Sequence, residues 1–358
     1  MSTLHAIVPD GLDDAHRPSG GNVYDRRVLS GLAALGRDVE EHAVGLSWPR
    51  PGRRDLHRLG SLLDRIEDGA VVLIDGLVAS PAARVLVPAS ARLRVVVLVH
   101  LPLGPHDGEG AVLRSAAAVV TTSAWAAARV REWYDVRRLH VVHPGVDRAP
   151  LARGTTLDGA ALLCVGAVHP GKGHDLLLDA LDGLSDRWWA LTCAGALDVD
   201  PAYTADLRRR VHQRGWDRRV RWAGPLDGAR LAAAYEAADL VVVPSRVESY
   251  GMVVTESLAR GIPVAASRVG GVPEAVGRGR DGGVPGLLVP PTAHALAGAL
   301  ASWLGEPTVR TRLRAAAADR RLMLAGWEET VAALSEVLGR AGADVPDVAL
   351  LDSLGGHR

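Results

Sequence analysis

The sequence predicts an α/β protein made of two Rossmann-like, doubly wound parallel-sheet domains that face a central cleft. Three observations carry this expectation. Short apolar runs alternate with longer helical patterns along the whole chain. Several of the runs are continuously apolar, as in parallel strands covered on both faces. The rhythm repeats as two copies of one plan, which argues for βαβ folding in each half.

The strand-like runs of the first half are 4–8, 71–75, 94–100, 118–121 and 139–143, with a fainter one at 40–44. Helical patterns at 23–35 and 124–134 lie between them. In the second half the runs are 161–165, 189–194, 220–223, 240–243, 262–266 and 286–289. Helices are expected at 175–184, 205–213, 229–238, 253–259 and 293–304. A stretch from His143 to Thr156, rich in Pro, Gly and charge, reads as the linker. The expected division is an N-terminal Rossmann-like domain at 1–148 and a C-terminal Rossmann-like domain at 157–325. A last helix, at about 327–342, is expected to return to the first domain, and the tail past Gly342 to fray. Two such sheets place their strand carboxyl ends around one cleft, where ligands of this architecture bind.

Bulk properties narrow the function. The 358 residues carry 41 basic and 41 acidic side chains, so no net charge points to nucleic acid or an anionic membrane. The two cysteines, Cys164 and Cys193, sit in apolar runs and read as small core residues. The apolar run at 4–8 is too short for a signal segment and lacks a basic lead. No run approaches the ~20 residues that span a bilayer. The expectation is a cytoplasmic chain.

Of the 41 Lys and Arg, one is lysine, leaving 40 arginines. Lysine is a compact point charge and arginine a flat fork, so a lone lysine suggests a site where the fork does not serve. Lys172 lies in Gly166-Ala167-Val168-His169-Pro170-Gly171-Lys172-Gly173, between a strand-like run and a helical pattern. Strand, glycine turn and helix make an anion site, because a helix N-terminus offers free N–H groups and the positive dipole end. The alternative is a surface residue left over in an arginine-biased composition.

A second strand–turn–helix junction runs from Pro244 to Val264. It carries Arg246, Glu248 and Tyr250 in a polar loop, then Gly251, Met252 and Val253 at a helix start. The amides of those last three can face a diphosphate. Glu248 and Glu256 can accept hydrogen bonds from sugar hydroxyls. Taken singly, Glu248 reads better as a turn cap and Glu256 as a solvated helix face; together, in a loop this apolar and glycine-bearing, they favour a polyol-phosphate ligand.

The segment Glu248-x7-Glu256, followed by Gly270-Gly271-Val272-Pro273-Glu274 and Gly286-Leu287-Leu288-Val289-Pro290, resembles family 4 glycosyltransferases of the GT-B fold. Ser19-Gly20-Gly21 is similar to the family's N-terminal phosphate loop, and His143-Pro144-Gly145-Val146-Asp147 to its linker entry. The resemblance implies retaining transfer of a sugar from a nucleotide-diphosphate sugar to an acceptor hydroxyl. UDP-sugar is the favoured donor and GDP-mannose the next. It implies no metal and no other cofactor. Lys172 matches the phosphate lysine, Glu256 the ribose carboxylate, Glu248 the carboxylate near the donor sugar, and His100 the histidine that reaches that sugar. One departure stands out. The family often has arginine after the glycine that opens the lysine turn, and here Ala167 follows Gly166. Arg246, Arg219 and Arg221 are the candidate replacements.

Other readings were weighed. His169 with His174, and His140 with His143, lack a third metal ligand nearby in sequence. No Gly-x-Ser-x-Gly elbow supports a hydrolase. Trp125, Arg129 and Trp133 share a helical face that reads as core packing with a solvated rim. The loop 101–110 is a candidate acceptor lid. The acceptor is expected to be small and soluble. A nucleotide-sugar epimerase and a non-catalytic nucleotide-sugar binder remain the alternatives, and the oligomeric state is open.

Overall fold

The computed structural model describes residues 3–343, apart from 46, 106, and 156–157. The tail past Gly342 and the end of the linker at Thr156 therefore fall largely outside the described residues. The first sheet contains β1 (Leu4–Pro9), β2 (Val39–Val44), β3 (Val71–Asp75), β4 (Arg94–Val99), β5 (Ala118–Thr121) and β6 (Leu139–Val141). Its order is β2-β1-β3-β4-β5-β6, and every pair is parallel. The second contains β7 (Ala161–Val165), β8 (Ala190–Ala194), β9 (Val220–Gly224), β10 (Leu240–Val243), β11 (Val264–Ser267) and β12 (Gly286–Val289). Its order is β12-β11-β10-β7-β8-β9, again all parallel.

Both central strand sets are buried on two faces. Val96 and Leu98 face one core of the first sheet, Val95 and Val97 the other. This is why those runs read as continuous rather than alternating. Cys164 and Cys193 are buried neighbours in register on β7 and β8, both free thiols.

Several boundaries differ from the sequence expectation. The first helix starts at Gly20, not 23, because Ser19 caps it by accepting from the Asn22 amide at 3.1 Å. Gly20 and Gly21 therefore occupy its first turn. β4 stops at Val99 and β6 at Val141, leaving His100 and His143 just beyond their strands. Helices Arg53–Leu63 and Pro307–Arg321 had no matching expectation. The first buries only Leu59 and Leu63, and the second is anchored by Arg310, Leu313, Ala316 and Ala317. The first carries a readable stripe, Leu56, Leu59, Leu62 and Leu63, which the sequence expectation overlooked; the second, its core side made largely of alanines, carries little periodic signal.

The final helix, Trp327–Gly342, packs on the first sheet. Trp327, Val331, Leu334 and Leu338 join Leu4, Tyr24, Val28 and Leu32 in one core. The chain thus crosses between sheets twice. The crossings touch, with the Val146 amide donating to the Ala325 carbonyl at 3.0 Å. Gly145 fits there because a Cβ would lie 2.5 Å from the Trp327 nitrogen.

Candidate active site

The lysine turn follows β7. Its Pro170–Lys172 segment is one turn of 3-10 helix, and Gly173, at φ +69°, starts the helix His174–Asp182. A Cβ on Gly173 would sit 2.0 Å from the Pro244 carbonyl oxygen. Glycine is needed twice over, for the left-handed backbone and for this close approach. The approach joins the turn after β7 to the turn after β10. Across that junction Lys172 Nζ lies 2.5 Å from Glu248 Oε1, and Ser245 donates to the same oxygen at 2.8 Å. The Lys172 stem passes over Gly166, whose φ is +148°.

Arg246 does not offer a free guanidinium. It forms a two-pronged pair with Asp175, at 2.8 and 2.7 Å, and donates to the Pro170 carbonyl at 2.8 Å. Burial alone would raise the Asp175 carboxyl, but Arg246 and the Tyr203 hydroxyl hold it down at about 2. Arg246 therefore braces the lysine turn. Arg219 donates to the Trp189 carbonyl and stacks 3.7 Å over the Trp189 ring. Arg221 is exposed near the start of β9, away from the carboxyl ends of the strands. Of the three candidate replacements for the arginine missing at Ala167, only Arg246 stands at the lysine turn, and its guanidinium is engaged by Asp175.

Gly251, at φ +97°, precedes the helix Met252–Ala259, so the Met252 and Val253 amides lie in its open first turn. Met252 reaches across to the first domain: a Cβ on Gly20 would lie 3.3 Å from its Sδ. Two helix N-termini thus face each other over the cleft. Tyr250 turns the other way. It is buried, its ring lies 5.6 Å from that of His143, and burial pushes its hydroxyl up to about 12. Glu256 does not line the cavity that Glu248 lines. Its Oε2 accepts from Tyr235 at 2.7 Å, and burial raises its carboxyl.

His100 sits beside Gly21, where a Cβ would lie 3.3 Å from the imidazole Cδ2. Its Nε2 is 2.7 Å from Asp25 Oδ1 and 3.6 Å from Asp75 Oδ2. Both carboxylates are buried, and Asp25 Oδ2 has no donor of its own. Burial alone would lower the imidazole, yet the two carboxylates carry it up to about 9. Asp75 in turn is pushed upward by burial and by the Asp25 charge. Asp25 is a site residue that sequence reasoning missed. In sequence it stands before Arg26 and Arg27 and reads as part of a charged helix face, and only the fold brings it to a residue 75 positions away.

Two trios among the described residues bring possible ligand atoms within 4.8 Å of one another: His5, Glu40 and His42, and Asp25, Asp75 and His100. In the first, the imidazole nitrogens point at each other as a 3.0 Å hydrogen bond, with ring centroids at 5.3 Å and planes 16° apart. In the second, His100 and the two carboxylates are paired with one another.

The two domains meet at the base of the cleft. Ser123 caps the helix Ala124–Tyr134 and donates to the Ser249 carbonyl at 2.7 Å. Glu274 accepts from the Ala124 amide at 2.9 Å and pairs with His143.

Residues 153–320 match the family described as glycosyl transferases group 1. The chain is 34% identical over 255 residues to the D-inositol 3-phosphate glycosyltransferase of Jonesia denitrificans, covering 65% of this chain and 59% of that protein. It is 35% identical over 269 residues to the protein of the same name from Kineococcus radiotolerans, covering 68% and 61%. The chain thus spans about three fifths of these relatives. Sucrose-phosphate synthase from Thermosynechococcus elongatus superposes with a TM-score of 0.78 at 22% identity, covering 95% and 99% of the two chains. HepE of Anabaena, in complex with UDP and glucose, superposes at 0.73 with 18% identity, covering 95% and 100%. Residues 153–320 belong to that glycosyltransferase family, and the relatives and the shared fold support a family 4 glycosyltransferase of the GT-B fold. In this glycosyltransferase the described residues include no helix long and apolar enough to cross a membrane.

Proposed function

We propose that the chain transfers a sugar, with retention of configuration, from a nucleotide-diphosphate sugar to the hydroxyl of a small acceptor. UDP-sugar is the favoured donor and GDP-mannose the next. The supporting observation is the convergence of Lys172, Glu248 and two open helix N-termini on one cleft. Such preorganised donors stabilise charge that develops on a leaving diphosphate.

In the step, the bond between the anomeric carbon and the diphosphate oxygen breaks. The acceptor oxygen bonds to the same face of that carbon, and its proton passes to the departing phosphate oxygen. Lys172 and the amides of Gly20, Gly21, Met252 and Val253 balance the negative charge. Glu248, held by Lys172 and Ser245, accepts from the sugar hydroxyls. His100, as an imidazolium fixed by Asp25 and Asp75, donates toward the sugar from the opposite wall. Glu256, held by Tyr235, is assigned to the ribose hydroxyls. Closing of the domains would exclude water from the reacting carbon.

The deciding experiment is a thermal-shift screen of nucleotide sugars, followed by proton NMR of the product formed from the one that stabilises most. A product with the donor's anomeric configuration supports the proposal. Inversion, or epimerised sugar without transfer, overturns it. The same assay in EDTA tests whether a metal takes part.

A further inference from the structure

A cavity of about 360 Å³ opens between the domains beside Glu248. Leu101 and Leu103, in the loop after β4, form one wall. Trp125 and Trp133, on the helix after β5, form the second, and Val247, beside Glu248, the third. Leu101, Leu103 and Val247 are 42%, 48% and 49% exposed, so three large aliphatic side chains face solvent at one spot. Scattered singly such residues mean little, but converging in a concave site they mark a ligand surface.

The walls are held in place. Buried Glu109 accepts from the Leu103 amide at 3.3 Å and from the Tyr134 and Ser80 hydroxyls at 2.5 and 2.8 Å. The charged side chains lining the cavity among the described residues are Arg246 and Glu248. Both are engaged, Arg246 with Asp175 and Glu248 with Lys172 and Ser245. A phosphate placed here would lose its water and gain no unpaired cation, whereas an apolar ring would be covered by two indoles and three aliphatic side chains.

We propose that this cavity is the acceptor site and takes a hydroxyl-bearing small molecule with an uncharged aromatic or alicyclic body, in preference to a polyol phosphate. The proposal rests on the transfer reading above, since the cavity's place beside Glu248 is what makes its occupant an acceptor. It narrows that reading to a substrate class that the names of the relatives do not suggest.

The test uses the full chain in three arms. Donor hydrolysis and nucleotide binding without acceptor examine the transfer reading alone. Binding of 2-naphthol, followed by tryptophan fluorescence, examines the cavity alone. Transfer to 2-naphthol, to D-inositol 3-phosphate and to free glucose examines the acceptor class. The expected result is a kcat/KM for naphthol at least tenfold above either polar acceptor. Trp125→Ala and the exposed variant Val247→Asp should each raise the naphthol KM at least tenfold, with little change in nucleotide affinity. Preference for inositol phosphate, or naphthol affinity indifferent to both substitutions, overturns the proposal. Naphthol binding beside an active donor site, with no transfer to it, also overturns it. Loss of the donor arm alone marks failure of the transfer reading and takes the acceptor assignment with it.

Discussion

Lys172 and Glu248, 76 residues apart in sequence, meet at 2.5 Å where the turns after β7 and β10 touch. The pair presets the ammonium at the mouth of two helix N-termini. Lys172→Ala is expected to lower kcat by ~100- to 1000-fold, the usual cost of removing one preorganised donor. Lys172→Arg should recover little of it, because a planar fork does not occupy a point-charge site. Steady-state kinetics beside a melting curve check this; an unchanged kcat would remove the lysine from the mechanism.

Sensitivity to alkali is expected from His100. An imidazole held near 9 binds more protons in the folded chain than at its ordinary 6.5 when unfolded. Its stabilisation is therefore complete below about pH 6.5 and is lost as pH rises through about 9. Melting temperature and turnover should fall together across that window. Asp25→Asn removes the closest carboxylate, so the alkaline fall should move to lower pH. Titrating both proteins from pH 6 to 10 reads the displacement, and coincident profiles would count against the pairing.

Gly270, at φ +53°, lies against the backbone of Glu248: a Cβ there would sit 1.6 Å from its carbonyl oxygen. Gly270→Ala must displace the loop that carries Glu248 or strain its own backbone. A fall of several degrees in melting temperature and at least a tenfold loss of nucleotide affinity are expected. Calorimetry against UDP and GDP measures the second effect, and wild-type affinity would contradict it.

Glu274 joins the domains through the Ala124 amide and His143. Glu274→Ala should leave both cores intact while loosening the cleft. Solution scattering should report a larger radius of gyration, and kcat should fall more than the nucleotide dissociation constant rises. An unchanged radius and kcat would show that the Ser123–Ser249 contact suffices.

Much of the fold was legible because the informative residues are local. The apolar runs marked twelve strands to within two residues at each end, and the glycine turns marked the junctions around Lys172 and Gly251. The Glu248–Glu256 spacing carried the family. What escaped depends on contacts distant in sequence. Asp25 acquires meaning only through His100, and Arg246 loses its apparent freedom only through Asp175. Trp125 and Trp133 share a helical face, a pattern that fits core and cavity equally. The loop that faces them decides between the two.

The paired crossings at Val146 and Ala325 act as two straps side by side. One strap would let the halves swivel freely; two bonded together favour rotation about a single axis, so the mouth opens and shuts along one path. The same arrangement ties the first half to the last. Ending the chain at Gly326 would strip Trp327, Val331 and Leu334 from Leu4, Tyr24 and Val28, leaving a bare apolar face. A cut at the linker would part the first half from the helix that completes its core, so the two halves stand or fall together.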